Sequence, residues 1–515
     1  ISGDNVIAGQ ITIAAHTEIA SDSGTLRLNI SSGSSITASN KNVTFDGAGN
    51  ITVVDPIATG SGTLTKSGSG TLTLSGANTY TGASTISDGV LIATNATSLG
   101  TTDGATTIAN GAELKISGGI NIGEAITVNG EGESSTGAIR STSGNNTLSG
   151  LITLGSTTAI QSDDDTLTLD VSTGNAITGS QTLKIRGQGN ITISDPVAIG
   201  SATLYKYNTG TLTLTGTNTQ SRSYISGGVL SVNQDRALGA VPGSTDSNNI
   251  TINGGTLKTT ASFTINTKRG IQLDASNSTI NVDASTTLTY AGIIVHQGSE
   301  TNNGYTKSGG GTFALSGDST YSGVTTISAG VITIAHAGSL GSTSGATSIT
   351  SGAALSISGG ITVAEPITVN GTGVSSGGAI VFTANDNTYS GAITLGSTST
   401  IVSTGGAQTI SATVNGGYGL TITANGNLIV SGAVGGSTDL SSYAVTTTGS
   451  ASQTFSANVE TTGNQTYTAA GGIVTSGART FDSSGGTVNF ASALSGNNNV
   501  TVTGNADIDG AITDI

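Results

Sequence analysis

Along much of the chain apolar and polar residues alternate with a period of two. In "GTLTLSG", residues 70–76, Leu72 and Leu74 point one way and Thr71 and Thr73 the other, and apolar positions resume at Ile86, Val90 and Ile92 after Gly82 and Gly89. Such alternation predicts short, half-buried β-strands of about four to six residues, closed by Ser-Gly, Asn-Gly or Asp-Gly turns. No sustained i, i+3, i+4 pattern accompanies it, and no helix is predicted. Thr, Val and Ile dominate, residues whose branched side chains suit a pleated surface.

The pattern repeats over long distances. "KSGSGTLTLSGANTYTGASTISDGVLIATNATSLG", residues 66–100, returns without insertion or deletion as "KSGGGTFALSGDSTYSGVTTISAGVITIAHAGSLG", residues 307–341. The register persists from Glu124 through Gly130 against Glu365 through Gly371, and still holds at Ile160 and Ile401. A third copy begins at Lys206; it matches the first from Asn50 and Asn190 onward and degrades past Asn218, with Gln220 in the place of Tyr80 and Tyr321. A second module, "NVIAGQITI" from Asn5, returns from Asn146 and Asn387, so units begin near residues 5, 146 and 387. Gapless registers of this length suit a stacked solenoid, where deleting one residue turns every inward side chain of a strand outward. Sandwich or barrel domains in tandem would need linkers of distinct composition, and none is visible.

The expected architecture is therefore all-β: a single-stranded, right-handed parallel β-helix, continuous over residues 1–515. With coils of roughly 20 to 25 residues rising about 4.8 Å each, the chain would form an elongated rod on the order of 110 Å long. Glycine and asparagine are expected at corners needing positive φ, Thr and Ser on the outer faces, and stacked aliphatics in a narrow interior.

Composition agrees. Among 515 residues there are 79 glycines, 9% charged and 3% aromatic residues, too few large side chains for several ordinary globular cores. The 34% of hydrophobic residues, placed in alternation, argues against disorder. No apolar run approaches membrane-spanning length. A formal charge of −15 without a basic stripe disfavours nucleic-acid binding. Cysteine is absent, which removes disulfides and thiolate metal sites. The chain opens at Ile1 within a strand-like pattern and closes at Ile515 in the same style, so it is expected to be processed or part of something longer.

Candidate chemistry is sparse. His16, His296 and His336 lie far apart without ligand-spaced partners and are expected at surface or corner positions. "SDSG", residues 21–24, superficially resembles the surroundings of a protease nucleophile at Ser23, but lacks a positioned base and orienting group. Asp163, Asp164 and Asp165 form the densest acidic cluster and are read as a solvated turn, with a calcium ion as the alternative. Tyr80, Tyr321 and Tyr389 are read as packing residues rather than a carbohydrate platform; Tyr389 aligns with the inward Leu148 and Ile7. Lys66, Lys206 and Lys307 are expected at a charged, solvated edge that discourages sideways pairing. No nucleotide-binding glycine motif occurs. The sequence thus assigns no catalytic, cofactor-binding or metal-ligating residue.

The repeated segment resembles the autotransporter-associated β-strand repeat. Gly68, Gly70, Leu72, Leu74, Gly76, Asn78, Thr79, Tyr80, Gly82, Gly89 and Leu91 stand at its pattern positions, as do Gly309, Gly311, Leu315, Gly317, Tyr321 and Gly323 in the later copy. The resemblance covers about a third of the chain and implies a secreted bacterial surface protein whose β-helical passenger acts as a stalk or adhesin. Its implied partners are host surfaces, glycans or further copies of itself, and its implied location is extracellular. Two alternatives share the fold: a subunit of a filament, sheath or surface layer, and a polysaccharide-cleaving enzyme. So dilute a charge argues against the enzyme, which needs paired carboxylates.

Overall fold

The computed structural model describes residues 3–298, 302–496 and 498–513. Ile1 and Ile515 lie outside the described residues. The chain divides into two compact units: Ile1–Pro242 with Asn249–Thr251 and Gly255–Leu257, and Gly243–Asn248 with Ile252–Gly254 and Lys258–Ile515. Both are parallel β-solenoids of short strands, and the helical segments among the described residues are three single 3-10 turns, Glu133–Ser135, Asp235–Leu238 and Val374–Ser376.

In the first unit the chain returns onto itself after 19 residues where Thr71 pairs with Val90, and after 26 where Ile126 pairs with Ile152. Every coil sets one inward aliphatic on the last. Leu26, Ile51, Leu72, Leu91, Leu114, Ile139, Ile160 and Ile185 form one such column, each registered on its neighbour and almost wholly buried. Burial of each is worth roughly 1.5–3 kcal/mol, repeated coil after coil. The strand after Gly89 is phased one residue from the sequence reading. Leu91 and Ala93 lie under Leu72 and Leu74 and face inward, while Ile92 shares the outer face with Thr73.

The second unit obeys the same rule. Phe313, Ile332, Leu355, Ile380, Ile401, Ile422, Val445, Tyr467 and Phe490 form a column in which rings take over toward its end. There Phe455, Tyr467, Phe481 and Phe490 pack with centroids 5.1–5.7 Å apart.

The three repeated lysines are not at an edge. Lys66 stacks between Phe45 and Ile86, Lys206 between Ile185 and Ile225, and Lys307 between Ile280 and Ile327, and all three are buried. Their position is set by alternation: Leu64 and Lys66 are two apart on one strand and must share a face. Each ammonium ends among carbonyls at a corner. Lys66 Nζ donates to Ser67 O and Gly68 O at 2.6 Å and Asp88 O at 3.2 Å, and Lys307 Nζ to Gly309 O, Gly311 O and Ala329 O at 2.7, 2.5 and 3.0 Å. Burial pulls Lys206 and Lys307 down to a pKa of about 8.

Tyr80, Tyr321 and Tyr389 are wholly buried, as read from the sequence. Tyr80 Oη meets Ser84 Oγ at 2.8 Å, Tyr321 Oη meets Thr325 Oγ1 at 2.6 Å, and Tyr389 donates to Glu365 O at 2.8 Å. In the degraded copy Gln220 fills the slot, its amide reaching Ala237 O at 3.3 Å. That copy is also one residue shorter: Lys66 to Ile86 spans 20 residues and Lys206 to Ile225 spans 19.

Candidate functional site

With both interiors filled, function must be sought on outward positions. One stretch of the first unit departs sharply from the Thr and Ser that cover the rest. On the strands Glu113–Ser117, Ile139–Ser143, Ile152–Ser162, Leu183–Arg186, Thr203–Lys206 and Arg222–Ile225, the outward residues include Lys115, Arg140, Gln161, Lys184, Arg186, Tyr205 and Tyr224. Register places them in rows. Lys115 pairs with Arg140, Arg140 with Gln161 and Gln161 with Arg186; beside them Lys184 pairs with Tyr205 and Tyr205 with Tyr224. Residues 19 to 25 positions apart in sequence thereby become neighbours at the inter-strand spacing of about 4.8 Å.

The rings form a shelf. Tyr205 and Tyr207 stack with centroids 5.7 Å apart and planes 4° from parallel, and Tyr224 lies 5.3 Å from Tyr205. Arg186 Cζ sits 5.8 Å from the Tyr207 centroid, near the outer limit of cation–π contact. Seven of the eleven tyrosines are buried, and these three half-buried rings are three of the other four.

The charges are matched. Arg140 Nε donates to Asp163 Oδ2 at 2.7 Å, and Gln161 Nε2 to Asp163 Oδ1 at 2.6 Å. Glu131, in the loop leading to the short turn Glu133–Ser135, receives Arg186 Nη2 at 2.5 Å and is also bridged by Lys184. Burial alone would raise the Glu131 pKa; the two cations outweigh it and hold the carboxyl below its usual range. Arg140, Asp163, Gly187, Gln188, Asn208 and Gln161 line a cleft of about 370 Å³. A second groove of about 850 Å³, lined by Glu131 together with Asn129, Ser156 and Gln181, lies along the same loop.

None of this is required by the fold. The positions 241 residues on, where the second unit repeats the same coils, hold Ser356 for Lys115, Thr372 for Glu131, Val381 for Arg140, Val402 for Gln161 and Thr404 for Asp163. Tyr205 and Tyr207 replace the Thr65 and Ser67 of the first copy. The substitution of an otherwise faithful repeat is the sequence signal that marks this face.

The residues weighed from sequence fall elsewhere or take other roles. His16 Nδ1 accepts the backbone N–H of Asn42 at 3.1 Å, and Ser23 lies in an exposed turn. His336 Nδ1 accepts from Gly338 N at 3.1 Å and stands 3.8 Å from Asp318; His296, expected at a surface or corner, instead ends its strand half-buried in register with the buried Leu273, because it lies two residues after the inward Ile294. Asp163 belongs to the charged face, Asp164 accepts from Asp165 N at 2.9 Å, and Asp165 accepts from Gly144 N at 2.8 Å. Among the described residues no cluster of three or more His, Asp or Glu has the spacing of a metal site.

Two carboxyls are displaced strongly by burial. Glu124, which accepts from Thr106 Oγ1 at 2.5 Å, is pushed up to about 7 and Glu365 to about 8; each is only 3% exposed. They are sealed beneath the coils rather than presented to a substrate. A folded-state pKa raised from 4.5 to about 8 means that the folded chain keeps a proton the unfolded chain has released. The Glu365 contribution to stability is full below about pH 4.5 and is lost as the pH rises to about 8. Denaturant unfolding of the second unit should therefore show a loss on the order of 4 kcal/mol between those limits. Glu365→Gln should flatten that slope; an unchanged slope would place the proton elsewhere.

Residues 64–93, 204–232 and 306–334 each match the passenger-associated-transport-repeat family. The Adhesin BmaC autotransporter of Brucella suis biovar 1 (strain 1330) is 35% identical over 159 residues, 30% of this chain and 4% of that protein. The chain thus aligns with a small fraction of that relative's length. No solved structure matches the chain. Three segments on parallel coils thus carry passenger-associated-transport repeats, and about a third of the chain is similar to part of an autotransporter adhesin.

Proposed function

We propose that the chain is a non-catalytic, surface-exposed segment of an adhesin, continuous as a solenoid, whose first unit makes contact through its Arg140–Tyr224 face. The observation that carries this reading is the paired charge on coils whose counterparts 241 residues on hold Ser356, Thr372, Val381, Val402 and Thr404 in the same places. The kinship to an autotransporter adhesin supports secretion to the cell surface. A non-enzymatic role is supported by where the perturbed carboxyls lie, since Glu124 and Glu365 are both buried and belong to different units. A general acid must reach its substrate.

Display of the chain on a bacterium that lacks adhesins of its own tests the proposal. Adherence to epithelial cells or to extracellular matrix should rise several-fold over the same display scaffold carrying no insert. Equal adherence of the two strains, with display verified by antibody, would overturn it.

A further inference from the structure

We propose that the cleft formed by Arg140, Gln161, Asp163, Gln188 and Asn208, with the tyrosine shelf beside it, binds an uncharged hexose-based glycan. The inference rests on the adhesive reading above and names the ligand class for it.

Size and chemistry both point there. The cleft, about 370 Å³, lies within the roughly 300–1,000 Å³ typical of small-ligand sites. Most such sites are mainly apolar, whereas every side chain lining this one is polar: three carboxamides, a guanidinium and a carboxylate. Carboxamides offer a donor and an acceptor side by side, the arrangement that pairs with adjacent hydroxyls. Asp163 accepts, Arg140 donates, and their ion pair at 2.7 Å leaves the pair with no net charge to be neutralised by a ligand.

The shelf supplies the other half of sugar recognition. A pyranose has one face rich in C–H groups, which stacks on an aromatic ring while its hydroxyls point sideways to hydrogen-bonding partners. Tyr207 is the residue immediately before Asn208 of the cleft wall, and Arg186 immediately precedes Gly187. Stacking of Tyr205 on Tyr207 fixes these rings, so little conformational freedom remains to be lost on binding. A polyanion is disfavoured, because Lys184 and Arg186 already hold Glu131 and the chain carries −15 overall.

Titration calorimetry of the whole chain against neutral hexamers of glucose, mannose and galactose, with heparin as the polyanion, decides the matter. At least one neutral hexamer should bind, and Tyr207→Ala and Gln188→Ala should each weaken that binding tenfold or more. Tyr418→Ala, at a ring 45% exposed in the second unit, should leave it unchanged. Unfolding midpoints of the variants serve as the control for folding. Absence of binding to any neutral hexamer, binding of heparin alone, or equal affinity of all variants would overturn the proposal. If the displayed chain promotes adherence yet binds no neutral hexamer, the glycan assignment fails and the adhesive reading stands. If hexamers bind through Tyr207 and adherence is unchanged, the adhesive reading fails instead.

Discussion

Lys307→Met should destabilise the second unit by about 3 kcal/mol, read from denaturant unfolding. Methionine replaces the stem of the lysine but not its head, and three carbonyls within 3.0 Å of the Lys307 ammonium lose their donor. An unpaired buried acceptor costs about 1–3 kcal/mol, partly offset here by apolar burial of the thioether. Lys258 is the control. It pairs with Asp283 at 3.2 Å with both side chains 37% exposed, and its replacement should change stability by less than about 0.5 kcal/mol. Equal effects at the two positions would show that the buried lysine is a passenger in the column rather than a clamp on the corner.

The second large effect is steric. A Cβ at Gly70 would lie 2.0 Å from Gly49 O on the preceding coil, and one at Gly210 or Gly311 would meet Gly189 O at 2.0 Å or Asp283 O at 2.2 Å. The same repeat position is closed in all three copies, and by backbone, which cannot swing aside. Gly70→Ala should therefore cost about 3 kcal/mol or more, because relief requires parting two coils. At Gly9 nothing lies within 4 Å, and there alanine should be neutral or stabilising by up to about 1 kcal/mol through a stiffer unfolded chain. Paired thermal melts of the two variants separate packing from glycine's backbone freedom, and similar melting temperatures would refute the packing account.

These two cases show what was legible in the sequence and what was not. Parallel stacking, the strand positions and the burial of Tyr80, Tyr321 and Tyr389 follow from period-two alternation and the long registers. The expected corner role with positive φ fits Gly68 and Gly309, at +66° and +74°, while Gly70 is needed for close approach of coils. The lysines lie inside rather than at an edge because phase along the strand outweighs charge. Leu64 and Lys66 share a strand face whatever their chemistry, and the solvation a lysine seeks is supplied inside by carbonyl oxygens. The same alternation, trusted at Leu204 and Lys206, sets Tyr205 outward between them. The charged face stayed hidden for a different reason: Arg140, Gln161 and Arg186 are distant in sequence, and only the coil lengths of 21 and 25 residues bring them into one row.

The most direct test of the account is whether that row exists. The chain has no cysteine, so paired substitutions report without background. Arg140→Cys with Gln161→Cys, and Gln161→Cys with Arg186→Cys, should each form an intramolecular disulfide readily, since registered parallel strands hold Cα atoms within bonding range. Gln161→Cys with Ile185→Cys, one residue out of phase and on opposite faces, should not. Efficient closure of the out-of-phase pair, with the registered pairs remaining reduced, would contradict the stacking on which the contact face depends.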